Sequence, residues 1–295
     1  MKKMLFVMNP YAGMRKANKY LTEILTVFNR AGFDVTVHMT AGPGDGADTV
    51  ARLAAEMDVV ACCGGDGTFN ETVNGLLRSG ADVPIGYIPA GSTNDFAASL
   101  CLPSNVLQAA QAIVEGSPCS YDVGQFGKRY FSYVASFGMF TKSSYATPQS
   151  VKNALGHTAY ILSGIRELSQ LRTTHMRLEL EEEVLEDDFL FGTVSNSTSV
   201  GGVLTLDARL VDMKDGKFEL LLVRSPKDLT ELSECIQALQ NQQYNCRMLT
   251  FRSVERLRAI GDPRIVWTLD GERAEGDTII DIRNMHHAIR IIQRG

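Results

Sequence analysis

Residues 58–71, DVVACCGGDGTFNE, limit the choice of fold more than any other part of this chain. Residues 59–63 are an unbroken apolar run, as expected for a strand buried on both faces of a helix-covered parallel sheet. Gly64, Gly65 and Gly67 then flank Asp66, and Phe69, Val73, Leu76 and Leu77 recur at helical spacing. A strand therefore ends and a helix begins at the glycines. Glycine carries no Cβ and permits positive φ, so its backbone can approach a ligand closely. The helix start adds free N–H groups and a positive dipole end, which suit phosphate. Asp66 would be repelled by phosphate unless a divalent cation lay between them. Two readings follow: a nucleotide-plus-Mg²⁺ loop, or a tight turn with Asp66 as N-cap. Composition alone does not separate them.

The surrounding chain repeats the same alternation. Residues 4–9 predict a strand, and Ala17, Leu21, Ile24, Leu25 and Phe28 a helix. Residues 33–40 predict a second strand, ending in the breaker AGPGDG. Ala47, Val50, Ala54 and Met57 mark another helix, residues 84–91 a strand and loop, and residues 94–101 a short helix. Repeated βα units imply a mostly parallel sheet. Beyond about residue 121 short strand signals dominate, at 129–137, 175–181, 189–196, 217–223, 247–252, 264–269, 278–283 and 288–292. Helical segments fall near 153–171 and 227–240, the second opening with a capping Ser225 and Pro226. The acidic run at 181–188, EEEVLEDD, predicts a solvated hairpin.

With 295 residues the chain can bury a substantial core. A net charge of −5 supplies no global basic field, so nucleic acid is not expected as the main partner. No stretch approaches the 18 apolar residues of a membrane-spanning helix, and residues 4–8 are too short for a secretory leader. Six cysteines without a C-x-x-C pair predict reduced, mostly buried thiols in a cytoplasmic protein.

Ligands bind beyond the C-terminal strand ends of such sheets. Besides Gly64–Thr68, three loops fall there: Asn9, Pro10, Tyr11, Ala12 and Gly13; Thr40; and Gly91, Ser92, Thr93, Asn94 and Asp95. One such loop means little, but four on one edge predict a site. Near residue 270, Asp270 and Glu272 are two apart where a strand ends, so either they project together as a general base with a neighbouring carboxylate, or Asp-Gly makes a surface turn. Asp212 and Asp215 around Gly216 could wrap an oxygen-ligated cation with a backbone carbonyl, or form an exposed hairpin turn. Residues 153–171 could dock a basic amphipathic helix on anionic lipid, or pack it as a core helix.

Taken together, NPxAG, GGDGTxNE, PAGSTNDFA, YDVG, a downstream Asp-Gly and LDGE occur in an order that resembles the diacylglycerol kinase catalytic-domain family. These are soluble bacterial lipid kinases, related to sphingosine kinases and more distantly to NAD kinase. The resemblance runs from Asn9 to Glu272 and implies an α/β domain similar to NAD kinase over 1–122 and a β-sandwich domain over 123–295, with the final segment free to return to the first. The implied activity is transfer of the ATP γ-phosphate to a lipid hydroxyl at a membrane surface, with diacylglycerol the default acceptor and phosphatidic acid the product. The alternatives are an NAD or other small-molecule kinase, or a non-catalytic lipid- or nucleotide-binding protein. A homodimer is the implied assembly.

The same resemblance assigns ATP to Asn9–Gly13, Thr40, Gly64, Gly65, Gly67, Thr68, Asn70, Glu71 and the loop Gly91–Asp95. It gives the catalytic Mg²⁺ to Asp66, and proton removal from the lipid hydroxyl to Glu272 with Asp270 beside it. Asp95 and Asp122 belong to a supporting charged network, and Asp212, Asp215 and the Lys217 carbonyl match a structural Mg²⁺ site. Leu206 departs from the family's proline in the loop before that site, and the loop itself is longer than usual.

Overall fold

The computed structural model describes residues 1–15, 17–138, 173–200 and 204–294. The segment 153–171, expected to be an amphipathic helix, lies outside the described residues. Two units form: Met1–Val123 with Arg129–Ser132 and Met285–Gly295, and Gly124–Lys128 with Tyr133–Asn284.

The first unit runs β1 (Lys2–Met8), α1 (Leu21–Arg30), β2 (Phe33–Met39), α2 (Asp45–Leu53), β3 (Val59–Gly64), α3 (Asp66–Ser79), β4 (Ile85–Pro89), α4 (Asp95–Ser99), α5 (Val106–Glu115), β5 (Ser117–Phe126) and β6 (Arg129–Phe131). The first four strands pair in parallel in the order β4-β3-β1-β2. Met8 lies opposite both Met39 and Cys63, and Gly64 opposite Pro89, so all four strands finish on one edge. β3 and β4 are buried along their length, as their apolar runs require. On one face Phe6, Phe28, Ala61, Ile88 and Ile113 share a core, with Phe28 edge-on to Phe6 at 5.7 Å. Phe69 packs against Tyr87 and Phe96 at 4.7 and 4.8 Å. Cys62 and Cys63 are free and sealed in β3, where burial pushes both thiols up to about 12. They are packing residues, consistent with the reduced thiols expected.

The second unit contains β7 (Val134–Gly138), β8 (Thr174–Glu179), β9 (Val184–Ser195), β10 (Ser199–Val200), β11 (Leu204–Thr205), β12 (Phe218–Arg224), β13 (Leu249–Val254), β14 (Arg256–Gly261), β15 (Val266–Leu269), β16 (Glu272–Glu275) and the start of β17 (Ile279–Gln293). Its described ladders are antiparallel. β9 pairs with β8 through its first half, and with β7 and β12 through its second. Trp267 is buried against Phe126 and Phe137. The acidic run forms the β8–β9 hairpin, where Glu183 pairs with Arg252, Glu186 with Arg177 and Asp187 with Arg224. Exposed pairs of this kind contribute at most about 1 kcal/mol each, so the run serves solubility rather than ligation.

Two sequence expectations change. The helix Leu229–Gln240 is capped by Asp228, which accepts from the Glu231 N–H at 2.8 Å, and not by Ser225. The strand signals at 278–283 and 288–292 belong to one strand, β17. Its residues Ile279–Asn284 lie in the second unit, and Met285–Gln293 in the first, where Ile291 pairs in parallel with Ile85.

Candidate active site

At the shared strand edge of the first unit, the loops after β1, β3 and β4 touch backbone to backbone. Asn9 N–H donates to the Cys63 carbonyl at 3.0 Å, and Ala90 N–H to the Gly64 carbonyl at 2.7 Å. The Asn9 side chain accepts from Tyr11 N–H at 2.9 Å and reaches the Thr68 hydroxyl at 3.4 Å. Gly13 has φ +54, and a Cβ there would collide with the Ala90 carbonyl; one on Gly91 would collide with Gly65. Glycine is therefore a steric necessity at both places. Gly91→Ala is expected to destabilise the protein by about 1–3 kcal/mol, as overpacked sites do. A thermal melt of that variant checks this.

Asn94, at φ +55, folds its side chain back on Gly91, accepting from its N–H at 2.9 Å and donating to its carbonyl at 3.0 Å. Pro10 is half-buried and Ala12 buried, while Tyr11, Ser92 and Thr93 are exposed beside them. Thr40 follows β2, its N–H donating to the Met8 carbonyl at 2.9 Å. Gly65 caps α3, and the N–H groups of Asp66, Gly67 and Thr68 open the helix. The edge thus gathers the four predicted loops and one helix start, which can neutralise an anion without a lysine.

Asp66 accepts from Asp95 N–H at 3.2 Å and Phe96 N–H at 3.3 Å, which ties α3 to the start of α4. Burial pushes its carboxyl above the usual range and the Asp95 charge adds to this, while the backbone amides of Phe96, Asp95 and Asn94 oppose it. Two partly buried carboxylates side by side form an oxygen-only donor set, which fits a hard divalent cation and is relieved by one. Glu71 is placed differently: it accepts from Gly44 N–H at 2.8 Å and Gly46 N–H at 3.0 Å, and so holds the entry to α2. Asn70 is buried and donates to the Tyr130 carbonyl at 3.3 Å, tethering β6. In the structure both side chains brace the loops from behind.

In the second unit Asp270 and Gly271 form a two-residue hairpin turn, with φ +50 and +81 and Leu269 paired to Glu272. Of the two readings of this spacing, the turn is the one that forms, and the two acids are not neighbours on one strand face. Asp270 is 3 % exposed and accepts from the Tyr133 and Val134 N–H groups, both at 3.0 Å. Two amide donors on one carboxylate oxygen hold the turn in place. Glu272 is exposed at the start of β16.

Asp212 and Asp215 are exposed and form local turns, accepting from Lys214 N–H at 3.0 Å and Lys217 N–H at 2.9 Å. The Lys217 carbonyl accepts from the Asn284 side chain at 2.9 Å. Sequence reasoning missed Glu219, although a lone carboxylate inside FELLLVR was a signal. Glu219 is 1 % exposed and its Oε2 has no hydrogen-bond partner among the described residues. Burial, with Asp215 and then Asp212 adding charge, pushes its carboxyl up to about 8. An orphaned buried carboxylate oxygen beside two further acids suits a hard cation, and so agrees with the proposed metal site.

Glu219→Gln tests that arrangement. A carboxyl whose folded value is raised contributes stability below its unfolded value, and loses it as pH rises through the folded one. Without divalent cation, wild type is therefore expected to lose about 1–3 kcal/mol relative to Glu219→Gln between about pH 4.5 and 8. Urea denaturation in chelator at pH 5 and pH 8, with and without Mg²⁺, checks the sign; Mg²⁺ should rescue wild type only.

The diacylglycerol kinase catalytic domain model matches residues 3–126. A "Diacylglycerol kinase" of Bacillus subtilis (strain 168) is 31% identical over 274 residues, 92% of this chain and 90% of its own length. One of Staphylococcus saprophyticus subsp. saprophyticus is 33% identical over 234 residues, 78% of this chain and 75% of its own. The crystal structure of a diacylglycerol kinase from Bacillus anthracis str. Sterne superposes with a TM-score of 0.77, covering 99% of this chain and 97% of that one at 21% identity, which speaks for the fold. At 31% identity over 92% of the chain, the Bacillus subtilis relative covers most of both units, and the chain belongs to the diacylglycerol kinase catalytic-domain family of lipid kinases.

Proposed function

We propose that the chain transfers the γ-phosphate of ATP to the free hydroxyl of diacylglycerol, yielding phosphatidic acid and ADP. The observation that carries this is the strand edge where Gly64–Thr68, Asn9–Gly13 and Gly91–Asp95 meet around the start of α3, with Asp66 and Asp95 together beneath it. The relatives' shared name supplies the lipid. Phosphoryl transfer asks a protein to position reactants and neutralise charge. Backbone N–H groups at Gly67 and Thr68 would receive phosphate oxygens. Mg²⁺, held by Asp66 with Asp95 beside it, would neutralise charge on the phosphates. Glu272 would accept the hydroxyl proton as the lipid oxygen forms its bond to phosphorus and the bond to the ADP oxygen breaks. Asp270 would position Glu272 by fixing the hairpin. Asp212, Asp215, the Lys217 carbonyl and Glu219 would hold a second, structural Mg²⁺.

Diacylglycerol resides in membranes, so turnover would occur at a membrane surface. Among the described residues no helix is long and apolar enough to cross one. The test is purified protein with Mg²⁺ and γ-labelled ATP against micelles of diacylglycerol, phosphatidylglycerol, undecaprenol, sphingoid base and ceramide, with NAD as control. Label in phosphatidic acid alone is the expected result. Label in NADP, or in none of the products, would overturn the reading.

A further inference from the structure

Asp122, on β5, which the family resemblance places in a supporting charged network, meets the neighbouring His286 and His287, on β17. Adjacent residues of a regular strand point to opposite faces. Here His287 has φ +52, and this break in β17 turns the two imidazoles to the same side, with ring centroids 3.7 Å apart at 25°. Beneath them Asp122 is fully buried. Its Oδ1 lies 3.0 Å from His286 Nδ1 and accepts from the His287 backbone N–H at 2.7 Å. Both rings are exposed above it, the His286 side chain at 52%. One ligand atom from each of the three residues lies within 4.8 Å of the others.

We propose that Asp122, His286 and His287 bind one first-row transition-metal ion, with Zn²⁺ the best match. Two imidazole nitrogens and one carboxylate suit Zn²⁺ and its neighbours in the series, whereas Mg²⁺ takes oxygen ligands. The Asp122 carboxylate and one nitrogen from each imidazole would be the three ligand atoms. The charge of Asp122 offsets that of the ion, and the exposed rings leave a path for entry. Three protein ligands leave a fourth position for water. Its ligand set differs from the oxygen-only set at Asp66 and from the acids around Glu219, and the experiment reads metal binding rather than kinase turnover.

The experiment is equilibrium dialysis of Zn²⁺ against the reduced full chain, with Co²⁺ absorption as a readout of ligand type. Wild type is compared with His286→Gln, His287→Gln and the double variant. Both rings are exposed, so the variants should keep the wild-type circular dichroism spectrum. Expected are one ion per chain, affinity weakened at least ~10-fold in each single variant, and no displacement by millimolar Mg²⁺. Zn²⁺ should raise the Tm of wild type and leave that of the double variant unchanged. Absence of binding, equal binding by wild type and double variant, displacement by Mg²⁺, or a thiolate charge-transfer band in the Co²⁺ spectrum would each overturn the proposal.

Discussion

Glu272→Gln is expected to lower kcat by about 10²–10⁴-fold, the range over which a positioned general base contributes. The variant would remove the proposed proton acceptor and keep the shape. Glu272 is exposed and its backbone sits opposite Leu269 in the β15–β16 ladder, so the Tm should move little. The KM for ATP should also be unchanged, since the nucleotide is assigned to the first unit. Near-normal kcat would remove Glu272 from the role and leave the hairpin as scaffold. Asp270→Asn is the informative companion. Its amide oxygen can still accept from Tyr133 and Val134, so a variant that melts normally yet turns over slowly would indicate that the charge, and not only the turn, matters.

Asp66→Asn should cost about 10²–10³-fold in turnover, comparable with losing one well-placed electrostatic group. The mechanism differs from that at residue 272. Asp66 is expected to act through the cation, so raising Mg²⁺ should partly restore the variant, whereas no Mg²⁺ concentration should rescue Glu272→Gln. Asparagine can accept from only one of the two amides at Asp95 and Phe96, so a modest loss of about 1 kcal/mol accompanies the kinetic effect. An unchanged Mg²⁺ dependence would count against the cation role.

How the sequence relates to the structure differs from one element to the next. The strands β1, β3 and β4 were legible because buried strands of a covered sheet are apolar in long runs, β2 because FDVTVHM alternates as a half-exposed edge strand does, and the end of β3 because a glycine-rich turn closes it. Their common edge was legible too, since parallel strands joined by helices finish on the same side. Glycine spacing indicated a tight approach, but not that Gly13 faces Ala90 or Gly91 faces Gly65; those are tertiary contacts. α5 gave no periodic signal strong enough to notice, since QAAQAI is rich in alanine, and its Asn105 cap was overlooked. β17 looked like two strands because Arg283, Asn284, His286 and His287 interrupt its apolar pattern, yet backbone pairing does not depend on side-chain polarity. Of the two readings of Asp270–Glu272, the Asp-Gly turn is the one that forms, because the strand periodicity of two does not run across a turn. Glu71 and Asn70 sit inside the most informative motif, but their carboxylate and amide are committed to Gly44, Gly46 and Tyr130. Motif membership alone cannot distinguish a ligand from the brace that holds it.

β17 has a consequence for how the protein is made. The fifth parallel strand of the first unit is contributed by its second half, which Gln293 secures by donating to the Leu100 carbonyl across 193 residues. A ribosome releases the nucleotide edge early, yet that unit cannot close its sheet until almost all of the second unit has been synthesised. Contacts of such high order make folding slow and expose strand edges meanwhile. Until β17 is made, β4 lacks its second strand neighbour and presents an open edge of the kind that favours mispairing.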